Sequence, residues 1–197
     1  MPIADIEPQD TSQHDGRFFN GVAESDLNAD QLLSRDTLLS KWVDRLSYAS
    51  QSVRSHGMEL GAALPFWLDN YDDEPLTVPS STSGGRTRVM ELLMPILDEY
   101  VLMSYNTNPA TAASFVAQQA MYATQQVNAG QAMPRVLGGV EVGQGIGSGV
   151  SYADTTGKAS KAIVLADIGT IENDLSSYPS FSGVAIDHWA AWTDLPA

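Results

Sequence analysis

A parallel α/β fold is what this sequence of 197 residues predicts. Short apolar runs bounded by Pro or Gly recur along the chain, and amphipathic stretches separate them. The two kinds alternate rather than cluster, as βαβ units do. Hydrophobic residues make up 43% and charged residues 17%, which is enough apolar material for a core and argues against disorder. The length suits one domain, or two small ones.

In order, Pro2 to Pro8 reads as a short strand bounded by prolines and carrying two acids. A polar loop runs to about Asn28, and a helix is expected from Ala29 to Ser55. Its Leu39, Trp42, Leu46, Ala49 and Val53 recur three and four apart, and Gly57 stands past its end as a stop. The second strand is Met58–Leu64, and Phe66 to Gly85 reads as one long Asp-, Pro-, Ser- and Gly-rich loop. A short helix at Thr87–Leu93 leads to the third strand, Glu99–Ser104. Asn108-Pro109 opens a helix to about Asn128, and Arg135–Val142 is the fourth strand. A glycine-rich loop follows, expected to be mobile rather than a phosphate cradle because it lacks the spacing of one. A helix with Val164, Ile168, Ile171 and Leu175 on one face then leads to a last strand, Ser182–Asp187. Two architectures fit five strands and four helices. One is the C-terminal part of a TIM barrel, usually about 250 residues when complete. The alternative is a five-stranded flavodoxin-like doubly wound sheet.

Composition narrows the function. With 24 acidic against 10 basic residues, the formal net charge is −14, which disfavours nucleic acid and anionic lipid as partners. Zero cysteines excludes a thiol nucleophile and Cys-ligated metal, and three histidines (His14, His56, His188) make a His-rich metal site improbable, so no cofactor or metal is expected. No run of eighteen apolar residues marks a membrane span, and the first residues lack signal-peptide features.

Both architectures place chemistry at the C-terminal strand ends. The first offers Asp5 and Glu7, which share a face; two close carboxyls push one pKa upward and make a general acid, or are simply a solvated pair. The second offers Phe66, Trp67 and Asp69, where an aromatic could stack on a sugar or cap the core. Tyr105 and Asn106 end the third strand as a phenol and an amide able to orient a polar substrate. Glu141 ends the fourth, and Asp187, His188 and Trp189 end the fifth, with His188 either a base or a structural hydrogen-bonding residue. Acids and aromatics without cations at these ends suit a carbohydrate cleft.

Several of these runs resemble glycoside-hydrolase-like TIM-barrel proteins, in the order of their fourth to eighth strands: Ile3-Ala4-Asp5-Ile6-Glu7-Pro8, Leu60 to Trp67, Asp98 to Tyr105, Gly138 to Val142 and Gly183 to Ile186. The chain is more distantly similar to chitinase-like enzymes of glycoside hydrolase family eighteen, which end the fourth strand in D-x-D-x-E and the sixth in M-x-Y-D. That resemblance implies Glu7 as general acid/base, Asp5 as the acid assisting it and Tyr105 as support for the reacting sugar. The chain departs from the pattern by lacking the upstream aspartate and by carrying Asn106 in place of the last one. It implies a glycosidase acting on an oligo- or polysaccharide, with Trp67, Asp69, Asn106, Glu141, Asp187, His188 and Trp189 lining the substrate. The alternatives are a non-catalytic carbohydrate-binding or scaffold protein on this fold, and a flavodoxin-like nucleotide-binding domain. Five barrel strands leave open edges, so a homodimer or a missing N-terminal barrel half is expected. Extracellular or periplasmic placement follows if a longer parent carries a signal peptide.

Overall fold

The computed structural model describes residues 3–5, 24–69, 75–80 and 84–197. The chain is α/β and forms two compact units, Met1–Glu99 and Tyr100–Ala197.

In the first unit, β1 (Ile3–Asp5) and β2 (Gly61–Pro65) pair in parallel, with Ile3 opposite Gly61 and Asp5 opposite Ala63. Parallel neighbours need a crossover, and α1 (Ala29–Arg54) lies within it. Its start is a capping box: the Asn28 side chain accepts the Asp30 and Gln31 amides, and the Gln31 side chain accepts the Asn28 amide. Its end is the expected one, with Gly57 at φ +70° and the Met58 amide closing back onto the Val53 carbonyl. Leu39, Trp42 and Leu46 are buried as their spacing predicts, whereas Ala49 and Val53 are half-buried and Ser50 takes the next core position. The Ser50 hydroxyl satisfies itself there by donating to the Ile96 carbonyl. β2 starts later than expected, at Gly61. Before it, Asp98 accepts the Leu60 amide at 2.8 Å and holds Arg54 at 2.9 Å, while the Leu60 carbonyl accepts the Asp98 and Glu99 amides.

The expected loop from Phe66 to Gly85 requires correction. It contains a 3₁₀ turn, Phe66–Leu68, and a strand, β3 (Thr77–Pro79), antiparallel to β4 (Arg86–Arg88). Thr87 therefore pairs with Val78, and the short helix begins two residues later than expected as α2 (Val89–Leu93). The hairpin is fastened to α1 by Arg86, which donates to both Asp36 carboxylate oxygens at 2.6 and 2.9 Å and to the Thr77 hydroxyl at 2.6 Å.

The second unit holds β5 (Glu99–Met103), α3 (Pro109–Asn128), β6 (Arg135–Glu141), α4 (Lys161–Leu175), β7 (Phe181–Asp187) and α5 (Trp189–Asp194). Its strands lie in the order β5-β6-β7, and β6 and β7 run parallel. Asn108 caps α3 by accepting the Ala110 and Thr111 amides, and Ser160 caps α4 through the Ile163 amide. Val116, Ala120 and Ala123 of α3 and Val164, Ile171 and Leu175 of α4 are buried with Val136 and Val140 of β6. α5 was not expected from the sequence. Among the described residues neither unit closes into a barrel.

The pairing of β6 with β7 carries an irregularity. Val136 faces Phe181, yet Gly138 faces Val184, so β7 contributes one residue more than β6 over this stretch. Gly183 lies in the surplus with φ +118°, a backbone conformation in which a side chain is strained.

Candidate functional site

The bulge decides what meets at the top of the second unit. Counting on from the Val136–Phe181 pair without it would set apolar Ile186 opposite Glu141. With it, Asp187 is the partner of Glu141 and Ile186 that of Val140. Two carboxyls thus end neighbouring parallel strands in register.

They are not equivalent. Glu141 is only 5% exposed and accepts the Gly143 amide, whereas Asp187 is exposed. Burial pushes the Glu141 carboxyl above its ordinary range; the Gly143 amide opposes this, while the charge and hydrogen bond of Asp187 add to it. The surroundings of Glu141 therefore favour its protonated form. The Tyr105 hydroxyl donates to Asp187 Oδ2 at 2.7 Å, and the His188 amide donates to Oδ1 at 2.7 Å.

Glycines make room for this cluster. A Cβ on Gly139 would lie 2.9 Å from Cε1 of the Tyr105 ring and 2.8 Å from the Leu102 carbonyl oxygen. A Cβ on Gly143 would lie 2.8 Å from a Glu141 carboxyl oxygen and 3.3 Å from the His188 ring. Among the described residues His188 is the one non-glycine with positive φ, at +70°. This left-handed turn costs roughly 1–3 kcal/mol and recurs at functional sites. Here it accompanies the His188 amide on Asp187 and the ring beside Gly143.

The glycine-rich loop, expected to be mobile, is laced by hydrogen bonds. The Asp154 carboxylate accepts the amides of Gly145, Ile146 and Gly147 at 2.8–3.1 Å, and the Thr155 hydroxyl accepts that of Gly149 at 2.8 Å. These amides hold the Asp154 carboxyl below its ordinary range. Beyond the loop, the Tyr152 amide bonds to the Glu141 carbonyl at 2.9 Å. Tyr152 is fully buried and shares Asp167 with Lys158, its hydroxyl at 3.2 Å and the ammonium at 2.8 Å, and burial pushes its phenol upward. Next to His188 opens a groove of about 400 Å³, walled by Val142, Gln144 and Ala153 on one side and by α5 on the other.

The other expected residues have separate surroundings. Asn106 accepts the Asn108 amide at 2.8 Å, so its carbonyl oxygen serves the turn into α3. Trp189 begins α5 and is 73% exposed. In the first unit, Asp5 ends β1, Trp67 is half-buried in the 3₁₀ turn, and Asp69 is 5% exposed. Asp69 holds Arg88 at 3.3 Å; burial raises its carboxyl, and Arg88 works against this. Glu7 lies outside the described residues, as do Asp72, Asp73 and Glu74. Gly139, Gly143 and Gly183 were not anticipated as site residues, although a glycine inside a strand signals a bulge or a close approach. Among the described residues no cluster of three His, Asp or Glu could hold a metal ion, and no helix is long and apolar enough to cross a membrane. No family model matches the chain, and no curated protein and no solved structure matches it.

Proposed function

We propose that the chain is a glycoside hydrolase-like protein acting on an oligo- or polysaccharide, and that the Glu141–Asp187 pair is its acid. The observation that carries this reading is the pairing itself: a buried carboxyl whose pKa is raised stands in register beside an exposed one at a strand end. The proton passes from Glu141 to Asp187 and on to the leaving oxygen as the glycosidic C–O bond breaks, and water adds to the sugar and returns a proton to the pair. Tyr105 holds Asp187 in position, and exposed Trp189 offers an indole face for a sugar ring. The resemblance gives the acid's role to Glu7, assisted by Asp5; we assign it instead to Glu141–Asp187 on the strength of their register and the burial of Glu141. We also take the strands as part of a TIM barrel, the fourth to the eighth.

The test is turnover of a panel of oligosaccharides and aryl glycosides by the full chain and its variants. Glu141→Gln and Asp187→Asn are expected to lower kcat/KM by roughly 10²–10⁴-fold, and Glu7→Gln by far less. Wild-type-like turnover in Glu141→Gln overturns the assignment. Sugar binding without any turnover by the wild type points to a non-catalytic carbohydrate-binding protein instead.

A further inference from the structure

The groove beside His188 has a composition that the carboxyl pair does not account for. Val142, Ala190, Ala191 and Leu195 give it an apolar lining, and its polar lining residues are Gln144, His188 and Asp194. Among the described residues no lysine or arginine lines it. Lys161, on the neighbouring helix, directs its ammonium to the Thr193 carbonyl at 3.0 Å and lies over the Trp192 ring. At about 400 Å³ the groove falls within the ordinary range of small-molecule sites, roughly 300–1,000 Å³. Its continuity with the carboxyl pair is through one residue. His188 donates its amide to Asp187 and is also a lining residue of the groove.

We infer that this groove is the leaving-group subsite of the proposed hydrolase and takes a neutral aryl or alkyl alcohol, so that saccharides joined to such an aglycone are its substrates. The inference rests on the hydrolase reading for the words leaving group, and on the groove alone for the chemistry of what binds. The apolar lining takes the ring or chain of the alcohol. The His188 imidazole, a donor or acceptor in either tautomer, meets its oxygen on the side facing Asp187. The Asp194 carboxyl and the missing cation turn anions away. Small alanine side chains on α5 set the width of the groove, so a bulkier residue there closes it.

Three isosteres of one size probe the site in the full chain: benzyl alcohol, benzoate and benzylamine, followed by amide chemical shifts in NMR titrations. Benzyl alcohol is expected to move the amides of Val142 and of residues 188–195, and benzoate to leave them in place at the same concentration. Ala191→Trp, and Ala190→Leu as a second variant should the first fail to fold, are expected to suppress the benzyl alcohol shifts. With glycosides, the ratio of kcat/KM for phenyl over methyl substrates is expected to fall at least about tenfold in these variants. Benzoate binding as well as benzyl alcohol, or benzylamine binding more than about tenfold tighter, overturns the neutral-alcohol assignment. Turnover with an unchanged phenyl-to-methyl ratio overturns the subsite while leaving the hydrolase reading intact. Benzyl alcohol bound in the groove of a protein that cleaves no glycoside removes the hydrolase reading and keeps the groove's chemistry.

Discussion

Replacing Gly139 by alanine adds one methyl group at the most crowded point beneath the site. The new Cβ would meet the Leu102 carbonyl oxygen at 2.8 Å and Tyr105 Cε1 at 2.9 Å, whereas ordinary van der Waals contact starts at 3.4 Å. Something must yield by about half an ångström, a step that overpacked interiors resist at a cost of roughly 1–3 kcal/mol. The Leu102 carbonyl belongs to the β5 backbone, so relieving that contact shifts β6 against β5, and the Tyr105 ring must move as well. Its hydroxyl then leaves Asp187, ending a hydrogen bond to a charged group, worth roughly 1.5–3 kcal/mol when well shielded and less on a half-buried tyrosine. Together these terms give a loss of about 2–4 kcal/mol. Urea unfolding of Gly139→Ala, Tyr105→Phe and the double variant measures it. If the alanine acts through Tyr105, the double variant loses less than the sum of the singles by about 1–2 kcal/mol. Strict additivity, or a Gly139→Ala protein within about 0.5 kcal/mol of wild type, refutes the reasoning.

Three further outcomes follow from contacts already described. Arg86→Ala leaves the Asp36 carboxylate, 9% exposed, without its two-pronged partner and is expected to cost roughly 2–3 kcal/mol. Arg54→Ala removes a solvated pair and is expected to cost under about 1 kcal/mol; the reverse order in chemical denaturation contradicts the burial argument. The Glu141 carboxyl titrates higher in the folded chain than in the unfolded one, so its contribution to stability is full below the unfolded value and is lost as pH rises through the folded one. Glu141→Gln keeps the neutral shape and is expected to flatten that part of a stability–pH curve, whereas curves of unchanged slope would show that the raised carboxyl is not linked to folding. Gly183→Ala forces a side chain into φ +118° and is expected to lose about 1–3 kcal/mol in thermal unfolding, with the Tyr105–Asp187 contact weakened. Wild-type stability there removes the bulge from the explanation.

Much of the second unit was legible because its boundaries are written in local chemistry. Asn108-Pro109 starts α3, Gly130 follows its end and apolar spacing marks α4, so every expected strand boundary in this unit lies within one residue of the observed one. The β3–β4 hairpin was not legible. Each strand is three residues long, and what fastens it, Asp36, stands fifty positions before Arg86. Tyr105, Glu141, Asp187 and His188 could each be found at a strand end, but their meeting depends on register, and a single extra residue near Gly183 resets it. The glycines carry no functional group for a reader to notice, and Asn106 looked like a substrate ligand because its role in the turn involves only a nearby amide.

Asp154 gives the groove wall an unusual independence from its solution. Three backbone amides converge on one anion, the arrangement by which many loops capture phosphate or sulfate from the medium. Here the anion is tethered seven to nine residues from the amides it satisfies. A short tether holds it at an effective concentration in the millimolar range, which a free oxyanion must exceed to displace it. The loop that carries Gln144 and leads to Ala153 thus brings its own counter-ion, and its shape is set before any solute arrives.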